Sequence, residues 1–133
     1  WAVRCAKEVC SMGTFFVEAL LAAPERPERR ASVELLVDSG STYTWVGAAR
    51  LRALSIVPTE RRRVVTIEGQ VVERDAAEVL ITLAGRTLHT VCLFGGGGDL
   101  DVLGAYTLEG FGLGVDPVQR KLIPALQYGA ATV

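Results

Sequence analysis

Hydrophobic positions along this chain come in short runs, broken every few residues by turn formers or charges. Runs of that length, rich in Val, Leu, Ile and aromatics, predict strands more than helices. Thr14 to Ala22 predicts the first strand. Pro24-Glu25-Arg26-Pro27-Glu28-Arg29-Arg30 ends it, because two prolines remove ladder donors and the charges favour water. Ser32 to Val37 predicts a second strand that stops abruptly at Asp38-Ser39-Gly40-Ser41, a cluster of turn residues. Tyr43 to Val46 is aromatic and β-branched, hence strand, with Trp45 expected in the core. Ala48 to Leu54 changes character. Good helix formers dominate there, and Leu51 and Leu54 share one helical face.

Val64 to Ile67 and Gln70 to Arg74 predict a hairpin turning at Glu68-Gly69. The preceding Arg61-Arg62-Arg63 reads as a solvated loop. Glu78 to Leu83 places Val79, Ile81 and Leu83 on one side of a strand. It turns at Ala84-Gly85-Arg86 and returns as Thr87 to Phe94. Gly95 to Gly98 reads as a flexible connection. Val102-Leu103-Gly104 is a short apolar strand, and Ala105 to Glu109 is one or two helical turns. Leu113 to Asp116 and Lys121 to Ile123 form a last hairpin around Pro117. The pattern predicts a small all-β domain with one or two short helices.

A length of 133 residues suits one domain. With 50% hydrophobic residues the chain is not of the disordered class. Lys and Arg total 14 against 15 Asp and Glu, a net charge of -1, so bulk electrostatics does not favour nucleic acid as a partner. No apolar run approaches the roughly 20 residues of a membrane-spanning helix. Trp1 to Met12 lacks the apolar centre of a secretory signal. Ser11-Met12 reads as a start junction, so residues 1–11 are expected to be a leader outside the core and 12–133 a single domain. The three cysteines, Cys5, Cys10 and Cys92, form no disulfide framework. That favours a reducing, cytoplasmic setting, with Cys92 as a small buried hydrophobe.

Two segments carry chemistry. Leu35-Leu36-Val37-Asp38-Ser39-Gly40-Ser41-Thr42 delivers an acid from an apolar strand into a tight turn. An acid there is costly unless its ionised form is hydrogen-bonded. Gly40 lets backbone N–H groups approach the carboxylate, and Ser39 adds a hydroxyl. Asp101-Val102-Leu103-Gly104 is the apolar element that would pack beside that turn. Other signals are weaker. His89, the sole histidine, falls where alternation can place it at the surface, which disfavours a Ser-His-Asp triad and a zinc site. The glycine run is followed by Asp99 and Asp101, which repel phosphate. Gly110-x-Gly112-x-Gly114 opens no helix.

In order and spacing, the stretch from Val33 to Pro124 resembles the retropepsin-like aspartic proteases, particularly the small single-domain prokaryotic members. The likeness joins the Val37 to Ser41 acid turn, the hairpin at Ile67-Glu68-Gly69-Gln70, Val102-Leu103-Gly104, Thr107-Leu108-Glu109 and the Phe111 to Pro117 segment. It implies a closed-barrel acid-protease half, with Asp38 catalytic and Ser39, Gly40 and Ser41 forming its loop. Ile67, Glu68, Gly69 and Gln70 would form a substrate-covering flap, and Val102, Leu103 and Gly104 would support the loop. Ser39 would bond across a dimer.

The sequence departs from the family in having Ser rather than Thr at 39, Ser rather than Ala at 41, and Ala105 where viral members place an ion-pairing Arg. Aspartic proteolysis needs two carboxylates sharing a proton. Asp99, Asp101 and Asp116 lack a following Ser/Thr-Gly, and a homodimer supplies the second acid most simply. The expected activity is an endopeptidase acting on an extended peptide, with pockets lined by Ile67, Val46 and Val102 and with no metal or cofactor. The alternatives are a peptide-binding or assembly module of the same fold, and a domain cut from a larger polyprotein or membrane-linked protease.

Overall fold

The computed structural model describes residues 14–132. Cys5, Cys10 and the expected leader lie outside the described residues. β1 (Phe16–Ala22) runs antiparallel to β2 (Ala31–Val37) across the proline-containing loop. Then follow β3 (Thr44–Gly47), α1 (Ala48–Ala53), β4 (Glu60–Val65), β5 (Val71–Leu83), β6 (Arg86–Gly95), β7 (Val102–Leu103) and α2 (Ala105–Phe111). β8 (Leu113–Asp116) and β9 (Lys121–Pro124) form a separate two-stranded sheet.

The main sheet has the order β1-β2-β7-β3-β6-β5-β4, and a second pairing of β1 with β5 closes it into a ring. Closure removes the free edges of β1 and β5 at that point. The β4 strand and the start of β5 extend as a hairpin beyond the ring.

The pattern of apolar residues explains the barrel. Leu21, Leu35, Leu51, Ile81, Leu93 and Leu103 are fully buried, and each contributes roughly 1.5–3 kcal/mol by leaving water. They belong to different elements, so the core needs most of the chain in place at once. Leu51 and Leu54 are both buried, as their shared helical face predicts.

Two elements differ from the sequence reading. Gln70 to Arg74 and Glu78 to Leu83 are not separate strands; β5 is continuous through Asp75-Ala76-Ala77. Ala76 lacks β propensity, yet it pairs with Glu60 on one side and Leu93 on the other. Its backbone is therefore fixed by two ladders, which override local preference. Arg61-Arg62-Arg63 is strand β4 rather than loop. Arg61 pairs with Asp75 at 3.0 Å and Glu73 at 3.5 Å, so cross-strand acids accommodate the charge run.

Three threonines inside the barrel satisfy one another. The Thr107 hydroxyl lies 2.7 Å from both the Thr44 and the Thr90 hydroxyls, and the Gly104 N–H donates to Thr44 Oγ1 at 3.1 Å. All three side chains are buried. Thr107→Val keeps the shape but takes a bonding partner from both other hydroxyls, leaving Thr44 with the Gly104 N–H. We expect it to lower unfolding free energy by about 1–3 kcal/mol in a urea titration; a loss below about 0.5 kcal/mol would contradict the network.

Cys92 is fully buried, as expected. Burial, reinforced by the charge of Asp101, pushes its thiol up from 9.0 to about 12. The unfolded chain therefore loses this proton first as pH rises. Its contribution to stability is intact below about pH 9 and is lost as pH climbs toward 12. Native protein at neutral pH should leave Cys92 unalkylated until denaturant is added, as read by peptide mapping. The alkaline decline in stability should be shallower in Cys92→Ala.

Candidate active site

The acid turn is built where β2 runs out. β2 lies parallel to β7, with Leu36 opposite Val102 and Val37 opposite Leu103. The ladder carries one bond further, from Asp38 N–H to the Leu103 carbonyl at 3.0 Å. The chain then folds back. Ser41 N–H donates to the Asp38 carbonyl at 3.1 Å, and Gly40 N–H donates to Asp38 Oδ1 at 2.9 Å. That last bond fixes the direction of the carboxylate. Ser41 Oγ closes the turn by donating to the Tyr43 carbonyl at 2.8 Å.

β7 and α2 support the loop from behind. Ala105 and Tyr106 N–H groups, at the start of α2, donate to the Ser41 and Thr42 carbonyls at 2.7 and 2.8 Å. The missing arginine at position 105 thus leaves the loop anchored by main chain. Gly104 permits this approach. A Cβ there would sit 2.3 Å from the Tyr43 carbonyl oxygen and 2.8 Å from that of Ser41.

An open groove of about 710 Å³ lies above the turn. Its floor includes Asp38, Gly40, Ser41, Leu36 and Val102. Tyr43, Trp45, Leu100 and Asp99 form one wall, and Val64, Thr66, Ile67 and Val72 of the β4–β5 hairpin line the other side. The hairpin turn is closed by Thr66 N–H to the Gln70 carbonyl at 2.7 Å, and Gly69 takes φ +87°, the left-handed conformation that glycine adopts without strain.

The sequence-predicted residues therefore divide. Asp38, Gly40, Ser41, Ile67 and Val102 share the groove. Ser39 is exposed beside it, Glu68, Gly69 and Gln70 belong to the hairpin turn outside the lining, and Leu103 and Gly104 are buried beneath. Val46 does not line a pocket: it is fully buried, while Trp45 lines the groove instead of the core. Alternation along β3 buries Thr44 and Val46 and turns Trp45 outward. His89 is exposed and pairs with Glu78 at 3.0 Å.

Sequence reasoning missed the charged residues that tie the groove walls together. Arg62 donates to Glu60 at 3.1 Å and to the Tyr43 hydroxyl. Its hydrogen bond to Glu60 raises its pKa further. Arg74 donates to Asp99 at 2.9 Å, and Asp99 also accepts from Gly96 N–H at 2.7 Å. The glycine run is thus a turn closed by its own acid. Asp101 accepts from Gly47 N–H at 2.8 Å. The two-residue spacing of Tyr43 and Trp45 was the available signal, since it places two aromatics on one strand face.

No protein-family profile matches the chain, and no curated protein does. Among solved structures it is similar to the EIAV protease in complex with the inhibitor HBY-793. The TM-score is 0.58 at 17% identity, covering 81% of this chain and 95% of that one. At that identity the likeness is one of fold. The chain has an all-β, retropepsin-like fold. Among the described residues no helix is long and apolar enough to cross a membrane.

Proposed function

We propose that this chain is an aspartic endopeptidase that works as a homodimer, with residues 12–133 as its catalytic unit. The observation that carries the reading is the Asp38 carboxylate, held by Gly40 N–H in a groove that the β4–β5 hairpin also lines. The retropepsin-like fold supports the same reading. A two-fold axis beside the acid turn brings a second Asp38 against the first, and Ser39, exposed next to it, bonds across the axis.

The two facing carboxylates share one proton, because like charges held against each other do not both ionise. The charged one takes a proton from a water molecule held between them. That water attacks the scissile carbonyl carbon while the protonated carboxyl gives its proton to the carbonyl oxygen. The tetrahedral intermediate then collapses, the C–N bond breaks, and the amine leaves with a proton from the acid pair. The peptide lies extended in the groove, paired with the backbone of the flap, which is the β4–β5 hairpin with Ile67, Glu68, Gly69 and Gln70 at its turn. Ile67 and Val102 contribute to its apolar pockets.

The test is a peptide-library digest at acidic and neutral pH over a dilution series, read by mass spectrometry. New termini should appear, and specific activity should fall on dilution as the dimer dissociates. Peptides retained intact on the protein at every concentration would instead indicate a binding module.

A further inference from the structure

Resting on the reading of the β4–β5 hairpin as a flap, we propose that Arg62 and Arg74 form a paired clamp that sets where the flap bends. The two residues face each other directly in the ladder, so their side chains leave the same face of the hairpin. Each lies over an aromatic ring of the groove wall. The Arg62 guanidinium is 5.0 Å from the Tyr43 ring centre, and that of Arg74 is 5.8 Å from the Trp45 ring centre. Each also meets a carboxylate. Arg62 bonds both oxygens of Glu60, at 3.1 and 3.2 Å, and Arg74 bonds Asp99 at 2.9 and 3.5 Å.

The clamp has a firm seat. Tyr43 packs against Tyr106 of α2 with ring centres 6.0 Å apart, and Asp99 is held by Gly96 N–H at 2.7 Å. Thus both strands of the hairpin are tied to the barrel at a single rung.

Along β5 burial rises across that rung: Val71 on the tip side is 54% exposed and Ala76 on the barrel side is fully buried, whereas β4 has no buried residue on either side of it. The turn's own bonds, Thr66 with Gln70 and Gly69 with Thr66, stay within the hairpin. A two-stranded ribbon is marginal without such anchorage. The rung of Arg62 and Arg74 therefore marks the pivot, and residues 64–72 are the part that closes on a peptide. Arg62 and Arg74 are positioning residues: they act through the flap rather than on the reacting atoms.

Hydrogen exchange and steady-state kinetics on the intact protein test this. In Arg62→Met/Arg74→Met, amides of 60–63 and 73–75 should exchange about tenfold faster, because the opening unit now includes the hairpin root. KM should rise about tenfold while kcat changes less than about threefold. Single Lys substitutions, which keep charge but lose the planar stack, should fall between parent and double variant. Tyr43→Phe, which keeps the ring and loses the hydroxyl, gives a milder second variant should the double one fail to fold. It should speed exchange at 60–63 more than at 73–75. Arg61→Met, whose partners Glu73 and Asp75 lie on the hairpin's other face, should change neither exchange nor KM. Root exchange unchanged in the folded variants, or raised equally by Arg61→Met, would overturn the clamp. The exchange arm needs no turnover, so it decides the clamp even if the parent protein cuts no peptide, a result that would instead refute the protease reading.

Discussion

Asp38→Asn is expected to lower kcat/KM for peptide cleavage by about 10³-fold or more while leaving fold and dimer intact. The asparagine oxygen can still accept the Gly40 N–H that Asp38 Oδ1 accepts at 2.9 Å, so the turn keeps its shape. What is lost is the chemistry: an amide neither takes the proton of water nor passes one to a carbonyl oxygen. Positioned proton transfer contributes typically 10²–10⁴-fold, and a symmetric dimer loses both carboxylates to one substitution. Circular dichroism and sedimentation should match the parent, which separates this loss from misfolding. Activity within about tenfold of the parent would place the chemistry elsewhere.

Gly104→Ala is expected to be severely destabilising. The backbone at 104 has φ -98° and ψ 175°, which alanine adopts without strain, so the argument is one of space. The added Cβ would stand 2.3 Å from the Tyr43 carbonyl oxygen, 2.5 Å from its carbon and 2.8 Å from the Ser41 carbonyl oxygen. All three are main-chain atoms, and Ser41 is further held by Ala105 N–H at 2.7 Å. Relief requires α2 and the acid loop to part, breaking those bonds and the Gly104 contact with Thr44. We expect a loss of about 4 kcal/mol or more, the range reserved for core and backbone clashes, seen as a collapse of the melting temperature or as insoluble protein. A fall in Tm of only a degree or two would contradict this packing. Gly97→Ala, where an added Cβ meets nothing within 4 Å, is the control.

The acid turn and the barrel strands were legible because both are local. An apolar run that ends in Asp-Ser-Gly states its geometry within eight residues, and Val79, Ile81 and Leu83 mark an inward face by spacing alone. The groove walls were not legible in the same way. Trp45 reads as core and Val46 as pocket because strand alternation defines two faces without saying which one meets the barrel interior. Thr44 decided it: its hydroxyl is satisfied by Thr107, 63 residues away, which makes the polar residue the buried one. Arg61-Arg62-Arg63 likewise reads as a solvated loop, because the acids that make it a strand, Glu73 and Asp75, lie opposite it on β5. The contacts of Arg74 with Asp99 and Arg62 with Tyr43 join segments that only barrel closure brings together.

The central claim is that one acid per chain becomes two per site, and mixed dimers test it most directly. Parent and Asp38→Asn chains are unfolded together, refolded at equal amounts, and assayed at constant total protein. If each site needs both carboxylates, only parent homodimers cut, and activity falls to about one quarter of the parent value by random pairing of two subunits. Activity at about one half, proportional to the parent chain alone, would mean that a single chain carries a complete site, and would contradict the account.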